Sequence, residues 1–241
     1  MAVLTLWCLA DLLLSRTPAQ MGLMPDGDTV VPGAQLVAAS TAPPLAGRLL
    51  SRDMTFLTLA AGMTLGLFAQ IGLIAHLFSL LAPALGAQPA GWALGLATAL
   101  AIGGRTAVGW LMPAGADRRL VACASYAVQA AGSITFILAG GASAPLLLAG
   151  VLLFGAGIGN ATSLPPLIAQ TEFAKDDVPR VVALIVGVSQ AGYAFAPAAF
   201  GLIRDLVPAG TGPTAVFAAA ALLQGLAIGA FLIGRTNRRA Q

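Results

Sequence analysis

Apolar residues are grouped along this chain in long blocks that short polar turns separate. Six blocks can be delimited, at approximately 56–82, 90–112, 120–140, 145–169, 181–203 and 213–234. An apolar run of about 18 or more residues is long enough to cross the hydrocarbon core of a bilayer as a helix. The pattern therefore predicts an all-α membrane protein whose residues 54–241 form six transmembrane helices.

Two different segments precede the predicted spans. Residues 1–15 are apolar but short for a span, and residues 16–53 are polar and contain several prolines and glycines. The first segment lacks a basic N-terminal region and carries Asp11 inside its apolar stretch, which disfavours a signal peptide. We interpret 1–15 as the remnant of a preceding transmembrane helix and 16–53 as a cytoplasmic linker. On this interpretation the chain is truncated.

Composition and charge agree with a lipid environment and indicate an orientation. Hydrophobic residues make up 58% of the chain and charged residues 9%, against about 25% charged in a typical soluble domain. With the linker in the cytoplasm, ten of the 12 Lys and Arg residues fall on the cytoplasmic side, as the positive-inside rule requires. The basic residues are dispersed among loops, so we expect no nucleic-acid partner. The expected location is a bacterial cytoplasmic membrane.

Small residues at four-residue spacing indicate how the spans meet. Pairs of the form GxxxG occur in four spans, in chain order Gly62/Gly66, Gly91/Gly95, Gly155/Gly159 and Gly225/Gly229. Helices in lipid associate by close packing, which glycine permits. The four pairs therefore predict a compact bundle.

A few polar side chains inside the spans are candidates for lining a solute path. Arg105 lies within the second span, where it could either bind an anionic group as a planar fork or reach the headgroups as a snorkelling residue. Each of the others has a packing alternative, a hydrogen bond between helices. These residues are Gln70 in the first span, Asn160 in the fourth, Gln190 and Tyr193 on one face of the fifth, and His76, which could relay protons.

Several kinds of chemistry are not expected. No Asp or Glu occurs inside the six predicted spans, and His76 is the only histidine. Cys8 and Cys123 are far apart and belong to no metal-binding or redox motif. We therefore expect no enzyme activity, no cofactor and no metal site.

Four stretches resemble the C-terminal half of a major facilitator superfamily transporter. RTPAQMGLMPDGD (16–28) is similar to the start of the central cytoplasmic loop, and PLLLAGVLLFGAGIGNATSLPPLIAQTEF (145–173) to the fourth span and its exit. AFAPAAFGLIRD (194–205) resembles the G-P-x-x-G-x-L element of the fifth span. GRTAVGWLMPAGADRR (104–119) resembles the signature loop G-x-x-x-D-R-x-G-R-R, with Pro113 at an expected acidic position. The loop residues that match are Gly104, Gly109, Asp117, Arg118 and Arg119.

This resemblance implies a secondary transporter that moves a small solute by alternating access between two six-helix halves. Arg105 and Gly109 resemble the substrate arginine motif of monocarboxylate-type relatives, which implies an organic anion; their aspartate one turn earlier is Ala101 here. The expected partners are the lipid bilayer, the solute, and a missing N-terminal half or a second copy. The alternative is a non-transporting remnant or a membrane scaffold protein.

Overall fold

The computed structural model describes residues 50–113, 115–208 and 210–239. All of them belong to the second of two units into which the chain divides, Ala39–Gln241. The proposed remnant helix 1–15 and the linker up to residue 49 lie outside the described residues. Within the described ranges, every regular element is helical.

A short 3-10 turn, Leu50–Arg52, leads into a series of α-helices joined by short connections. The helices are Met54–Leu85 (α1), Ala87–Leu111 (α2), Arg118–Ala139 (α3), Ala144–Ile158 (α4), Leu164–Glu172 (α5), Val178–Tyr193 (α6), Ala196–Leu206 (α7) and Gly212–Arg239 (α8). The carboxylates of Asp53 and Asp117 accept backbone N–H groups at the starts of α1 and α3. Such caps satisfy amides that the first helical turn leaves without partners. Gly140 ends α3 in the left-handed region, at φ 57°, which glycine adopts readily.

Five stretches of the described chain are long and apolar enough to cross a membrane. They are α1, α2, α3, the run Val178–Leu206 that contains α6 and α7, and Gly212–Thr236 within α8. The predicted fourth span differs, because residues 145–169 fall in two shorter helices, α4 and α5, separated by residues 159–163. The interruption in the fifth span is slight: Ala194 and Phe195 keep a right-handed helical backbone.

The helix contacts repeat after three spans. In this repeat α1 corresponds to α4, α2 to α6, and α3 to α8. The packing of α1 on α8 is accordingly matched by that of α4 on α3, and the packing of α1 on α6 by that of α4 on α2. The helices α3 and α8, which correspond to each other in this scheme, pack together. This is the contact pattern of two three-helix repeats, a common architecture in transporters.

Two clusters of buried side chains fill the bundle at different levels of α1. Stacked rings mark each of them, with centroids 5.8 Å apart for Tyr126 and Phe231 and 4.8 Å apart for Phe136 and Phe217. Aromatic pairs in such offset arrangements add to the stabilisation from close packing. Both ring pairs join α3 to α8, so each cluster contributes one aromatic contact between these two helices.

The four GxxxG pairs behave differently from one another. The first pair lies against the rings of Phe231 and Tyr126, and the third against Ala97 and Ala101 of α2. A Cβ atom on any of these four glycines would clash. The second and fourth pairs would meet nothing within 4 Å. Two of the four pairs therefore lie at close helix contacts within the described residues, and the other two do not.

Candidate functional site

Arg105 lies on α2 and reaches the segment that joins α4 to α5. Its Nε donates a 2.7 Å hydrogen bond to the carbonyl oxygen of Gly159, and its Nη2 donates a 2.9 Å bond to Oγ1 of Thr162. These nitrogens form one edge of the planar guanidinium, so Gly159 and Thr162 together occupy that edge. Among the described residues, Nη1 has no hydrogen-bond partner, and the Arg105 side chain is exposed. The N–H groups of the Nη1–Nη2 edge can therefore donate hydrogen bonds to a ligand.

An open recess of about 260 Å³ surrounds this arginine. It is lined by Thr98, Ala101, Ile102, Arg105, Thr106 and Gly159. Five of these residues lie on one face of α2, and Gly159 lies at the end of α4. The recess thus combines one cation with a largely apolar wall, the arrangement by which small-molecule sites orient a ligand through few polar groups.

The interruption between α4 and α5 has a local cause in the sequence. Pro165 and Pro166 lack the N–H groups that would bond to the carbonyls of Ala161 and Thr162 in a continuous helix. Instead, the structure shows turns over residues 159–163, with the amide of Leu164 donating to the Asn160 carbonyl at 3.1 Å. The Gly159 carbonyl lies in this turn segment, where it accepts from Nε of Arg105.

Close backbone contact holds α2 against α4 beside the recess. A Cβ atom on Gly104 would clash with the carbonyl oxygen of Ala156, and one on Gly159 would clash with that of Ala101. Both positions therefore require glycine at this separation of the helices. The glycines set the distance across which Arg105 makes its two bonds.

The other predicted path residues lie outside the lining of this recess. Gln70 is buried, and its Oε1 has no hydrogen-bond partner among the described residues. Asn160 is also buried, next to Gly159 in the interrupted segment. Gln190 is exposed, whereas Tyr193 is half-buried against the cluster that contains Tyr126. Among the described residues, no hydrogen bond joins these four side chains.

His76 connects two helices. Its Nε2 lies 2.9 Å from the carbonyl oxygen of Pro197, which can only accept, so the ring nitrogen donates. The bond joins α1 to the first turn of α7. The same region contains Ser79, which accepts a 3.0 Å bond from Nη1 of Arg204. This geometry gives His76 a contact between helices; it provides no observation of a proton path.

The residues that resemble the signature loop divide between a helix and a turn. Gly104 and Gly109 lie inside α2, and only Asp117 remains in the turn, since α3 begins at Arg118. Gly104 packs closely on α4, whereas Gly109 has open space at its Cα. Arg118 donates through Nη1 to the carbonyl oxygen of Leu167 in α5.

Arg119 is buried, although the sequence suggested a basic residue in a cytoplasmic turn. Its Nε and Nη2 donate 2.8 Å bonds to the two carboxylate oxygens of Glu172, and the two side chains are 1% and 3% exposed. Nη2 also donates to the Thr55 carbonyl at 3.0 Å, and Nη1 donates to Thr58 Oγ1 at 3.1 Å and to the Phe231 carbonyl at 3.4 Å. The guanidinium therefore ties α3 to α1, α5 and α8.

Asp117 forms a second ion pair close to the first. Its Oδ2 accepts from Nε of Arg235 at 2.5 Å, and the two side chains are partly exposed. Partial burial by itself raises the pKa of the Asp117 carboxyl. The hydrogen bond and charge of Arg235, with backbone N–H groups of Leu120 and Arg119, outweigh burial and lower the pKa below its ordinary value of 3.8.

Sequence reasoning missed several polar residues that the structure places in contacts. Glu172 stood in a charged turn, and nothing in the sequence paired it with Arg119. Gln129 donates a 3.0 Å bond to the carbonyl of Gly157, and Gln224 accepts a 2.9 Å bond from Ser133. Both glutamines are fully buried. Their position within apolar spans was a signal, because a buried amide in a membrane helix requires partners.

Comparison with known proteins yields a structural match. No family model matches the sequence, and no curated protein sequence matches it. A solved structure described as an auto inhibited POT family peptide transporter aligns with a TM-score of 0.65 and 18% sequence identity. The alignment covers 76% of this chain and 37% of that transporter, so the match extends over well under half of the transporter's length. At this identity the likeness shows the fold alone: the described residues form an all-helical, multi-pass membrane bundle whose fold matches part of that transporter.

Proposed function

We propose that this chain forms one half of a secondary transporter of the major facilitator type and moves a small organic anion by alternating access. The membrane would be the bacterial cytoplasmic membrane. The anion would bind in the recess beside Arg105. A second six-helix bundle, either an N-terminal half or another copy, would complete the path.

The position of Arg105 carries this proposal. It lies six residues before the end of α2 at Leu111, about 9 Å along the helix. A charged side chain at the centre of a membrane helix costs about 2.5–3.5 kcal/mol on insertion scales, and charged groups within the membrane usually face a protein interior or an aqueous cavity. Within the described residues Arg105 has no carboxylate partner, and one edge of its guanidinium is open. An anionic solute would supply the missing charge.

The exposure of α2 supports a second bundle. This helix has the least buried apolar window among the described candidate spans, at 6%, against 44% for α1. Its exposed residues include Trp92 and Trp110 as well as Arg105. Lipid can cover the tryptophans, but it cannot partner a guanidinium below the headgroups. A facing bundle would enclose the recess and leave it accessible to water on one side at a time.

Uptake into liposomes tests the proposal. The chain, alone and co-expressed with a candidate second bundle, is reconstituted and supplied with labelled propionate and benzoate. We expect uptake that Arg105→Gln lowers by at least tenfold, since each 1.4 kcal/mol of lost binding is tenfold. Arg204→Gln serves as the matched control, because Arg204 bonds Ser79 far from the recess. Absence of uptake in both preparations would favour the scaffold alternative, and equal uptake by wild type and Arg105→Gln would exclude the role of Arg105.

A further inference from the structure

We propose that Thr162 is a positioning residue that presents the Nη1–Nη2 edge of Arg105 to a carboxylate ligand. The inference rests on the proposed function, because it concerns the same recess. It adds a residue and a binding geometry: the Gly159 carbonyl and the Thr162 hydroxyl hold one edge of the guanidinium, and the ligand takes the other.

The two existing hydrogen bonds determine the plane of the guanidinium. A guanidinium that one acceptor holds can rotate about that bond, whereas two acceptors on one edge fix its plane. Gly159 and Thr162 provide these acceptors at 2.7 Å and 2.9 Å. The remaining edge has two parallel N–H groups, a spacing that matches the two oxygens of a carboxylate. The pair of bonds therefore pre-orients the arginine before the ligand arrives.

The hydroxyl of Thr162 differs from the other threonine hydroxyls of the site. Thr98 and Thr106, which line the recess, donate to carbonyls four residues earlier in their own helix, those of Leu94 and Ile102. This is the usual arrangement for threonine in a helix. Thr162 lies in the interruption between α4 and α5, and within the described chain its Oγ1 bonds to Arg105 alone. The hydroxyl of Thr162 is therefore placed to orient Arg105.

The helix interruption thus provides the two hydrogen-bond acceptors that orient Arg105. If α4 continued without a break, the Gly159 carbonyl would accept from its own helix and the residue at position 162 would lie on a regular helical face. In the interrupted segment, the Gly159 carbonyl instead accepts from Arg105. The recess consequently favours a planar anion with two equivalent oxygens on a small, partly apolar body, which is the chemistry of a short-chain or aromatic carboxylate.

Matched substitutions of the two kinds of threonine test the inference. Thr162→Val removes the hydroxyl and keeps the shape, Thr162→Ser keeps the hydroxyl, and Thr135→Val removes a hydroxyl of α3 that bonds the Ala131 carbonyl in its own helix, outside the lining of the recess. For propionate and benzoate we expect Thr162→Val to raise KM roughly fivefold or more, as the loss of one hydrogen bond predicts. The maximal rate should stay within about twofold, because orientation contributes to uniform binding. Thr162→Ser should restore the wild-type KM, and Thr135→Val should leave it unchanged.

A double-substitution cycle distinguishes a positioning role of Thr162, which acts through Arg105, from a general effect of the polarity of the recess. Lysine has no planar edge, so in the Arg105→Lys background Thr162→Val should change binding of the two carboxylates by less than about twofold. Equilibrium binding to the full chain in nanodiscs, with thermal melting as the check on folding, gives this comparison. Thr162→Ala is the second hydroxyl-deleting variant should the valine variant melt early.

The outcomes distinguish the two proposals. If wild type neither binds nor transports the carboxylates, the proposed function and the role of Thr162 both fail. If wild type binds them and Thr162→Val equals wild type, the positioning role alone is overturned. The positioning role is also overturned if Thr135→Val impairs binding as much as Thr162→Val, or if the effect of Thr162→Val is undiminished in the Arg105→Lys background.

Discussion

Two arginines of this bundle donate hydrogen bonds through the same edge of the guanidinium but to different kinds of partner. Arg119 donates through Nε and Nη2 to the carboxylate of Glu172, and Arg105 donates through the same atoms to Gly159 and Thr162. The second edge of Arg119 is occupied by Thr55, Thr58 and the Phe231 carbonyl. That of Arg105 faces an open recess.

The two arginines are consequently suited to different roles. A buried, fully partnered ion pair is a structural connection, because removing either partner leaves a charge without water or a counterion. An exposed arginine that neutral acceptors hold on one edge keeps its charge available to a ligand. The protein therefore fixes one cation and presents the other, and the partners, not the residue type, determine which is which.

The largest expected effect comes from replacing each arginine by methionine. Arg119→Met leaves Glu172 buried beside an apolar side chain, and we expect it to lower the free energy of unfolding by about 3–5 kcal/mol. Arg105→Met removes two hydrogen bonds at an exposed position and should change the free energy of unfolding by less than about 1 kcal/mol. Thermal melting of the purified protein in detergent measures both.

A paired substitution completes that experiment. Arg119→Met with Glu172→Leu removes both charges, so the double variant should melt closer to wild type than Arg119→Met does alone. Equal destabilisation by Arg119→Met and Arg105→Met would contradict the distinction between a structural and a presenting arginine.

An intermediate effect on stability is expected at Gly234, where the absence of a side chain leaves space for the Arg119 guanidinium. A Cβ atom on Gly234 of α8 would clash with the Arg119 guanidinium and with the Thr58 hydroxyl. Because the guanidinium is held by Glu172, it cannot move aside freely, and Gly234→Ala should destabilise the protein by about 1–3 kcal/mol.

Gly229 provides the control for this substitution. It lies in the same helix, and a methyl group added at its Cα would meet nothing within 4 Å. Gly229→Ala should be neutral or stabilising by up to about 1 kcal/mol, since alanine favours the helix over glycine. Equal melting temperatures for the two alanine variants would show that Arg119 has more freedom than its contacts indicate.

The parts of this structure that the sequence predicted are those with a local cause. Long apolar runs predict spans because a helix in lipid satisfies its own backbone, and a glycine after α3 or an aspartate before it marks a helix end. The four GxxxG pairs have one spacing but different surroundings, because the rotation of each helix decides which face meets a neighbour. Glu172 and Arg119 are 53 positions apart, and Thr162 and Arg105 are 57 apart. Only the packing of the helices brings such residues together.

The smallest effect, and the one that depends on pH, belongs to the partly exposed pair of Asp117 and Arg235. The pKa of the Asp117 carboxyl lies below its ordinary value of 3.8 in the folded protein, so the folded state favours the charged form. The resulting stabilisation is present above the ordinary pKa and is lost as the pH falls through the lower, folded value. Asp117→Asn should therefore lower stability near pH 7 by less than about 1 kcal/mol, because solvent screens the pair. The difference in melting temperature between wild type and Asp117→Asn should shrink from about pH 6 to about pH 3, and a difference that grows on acidification would reverse the assigned sign.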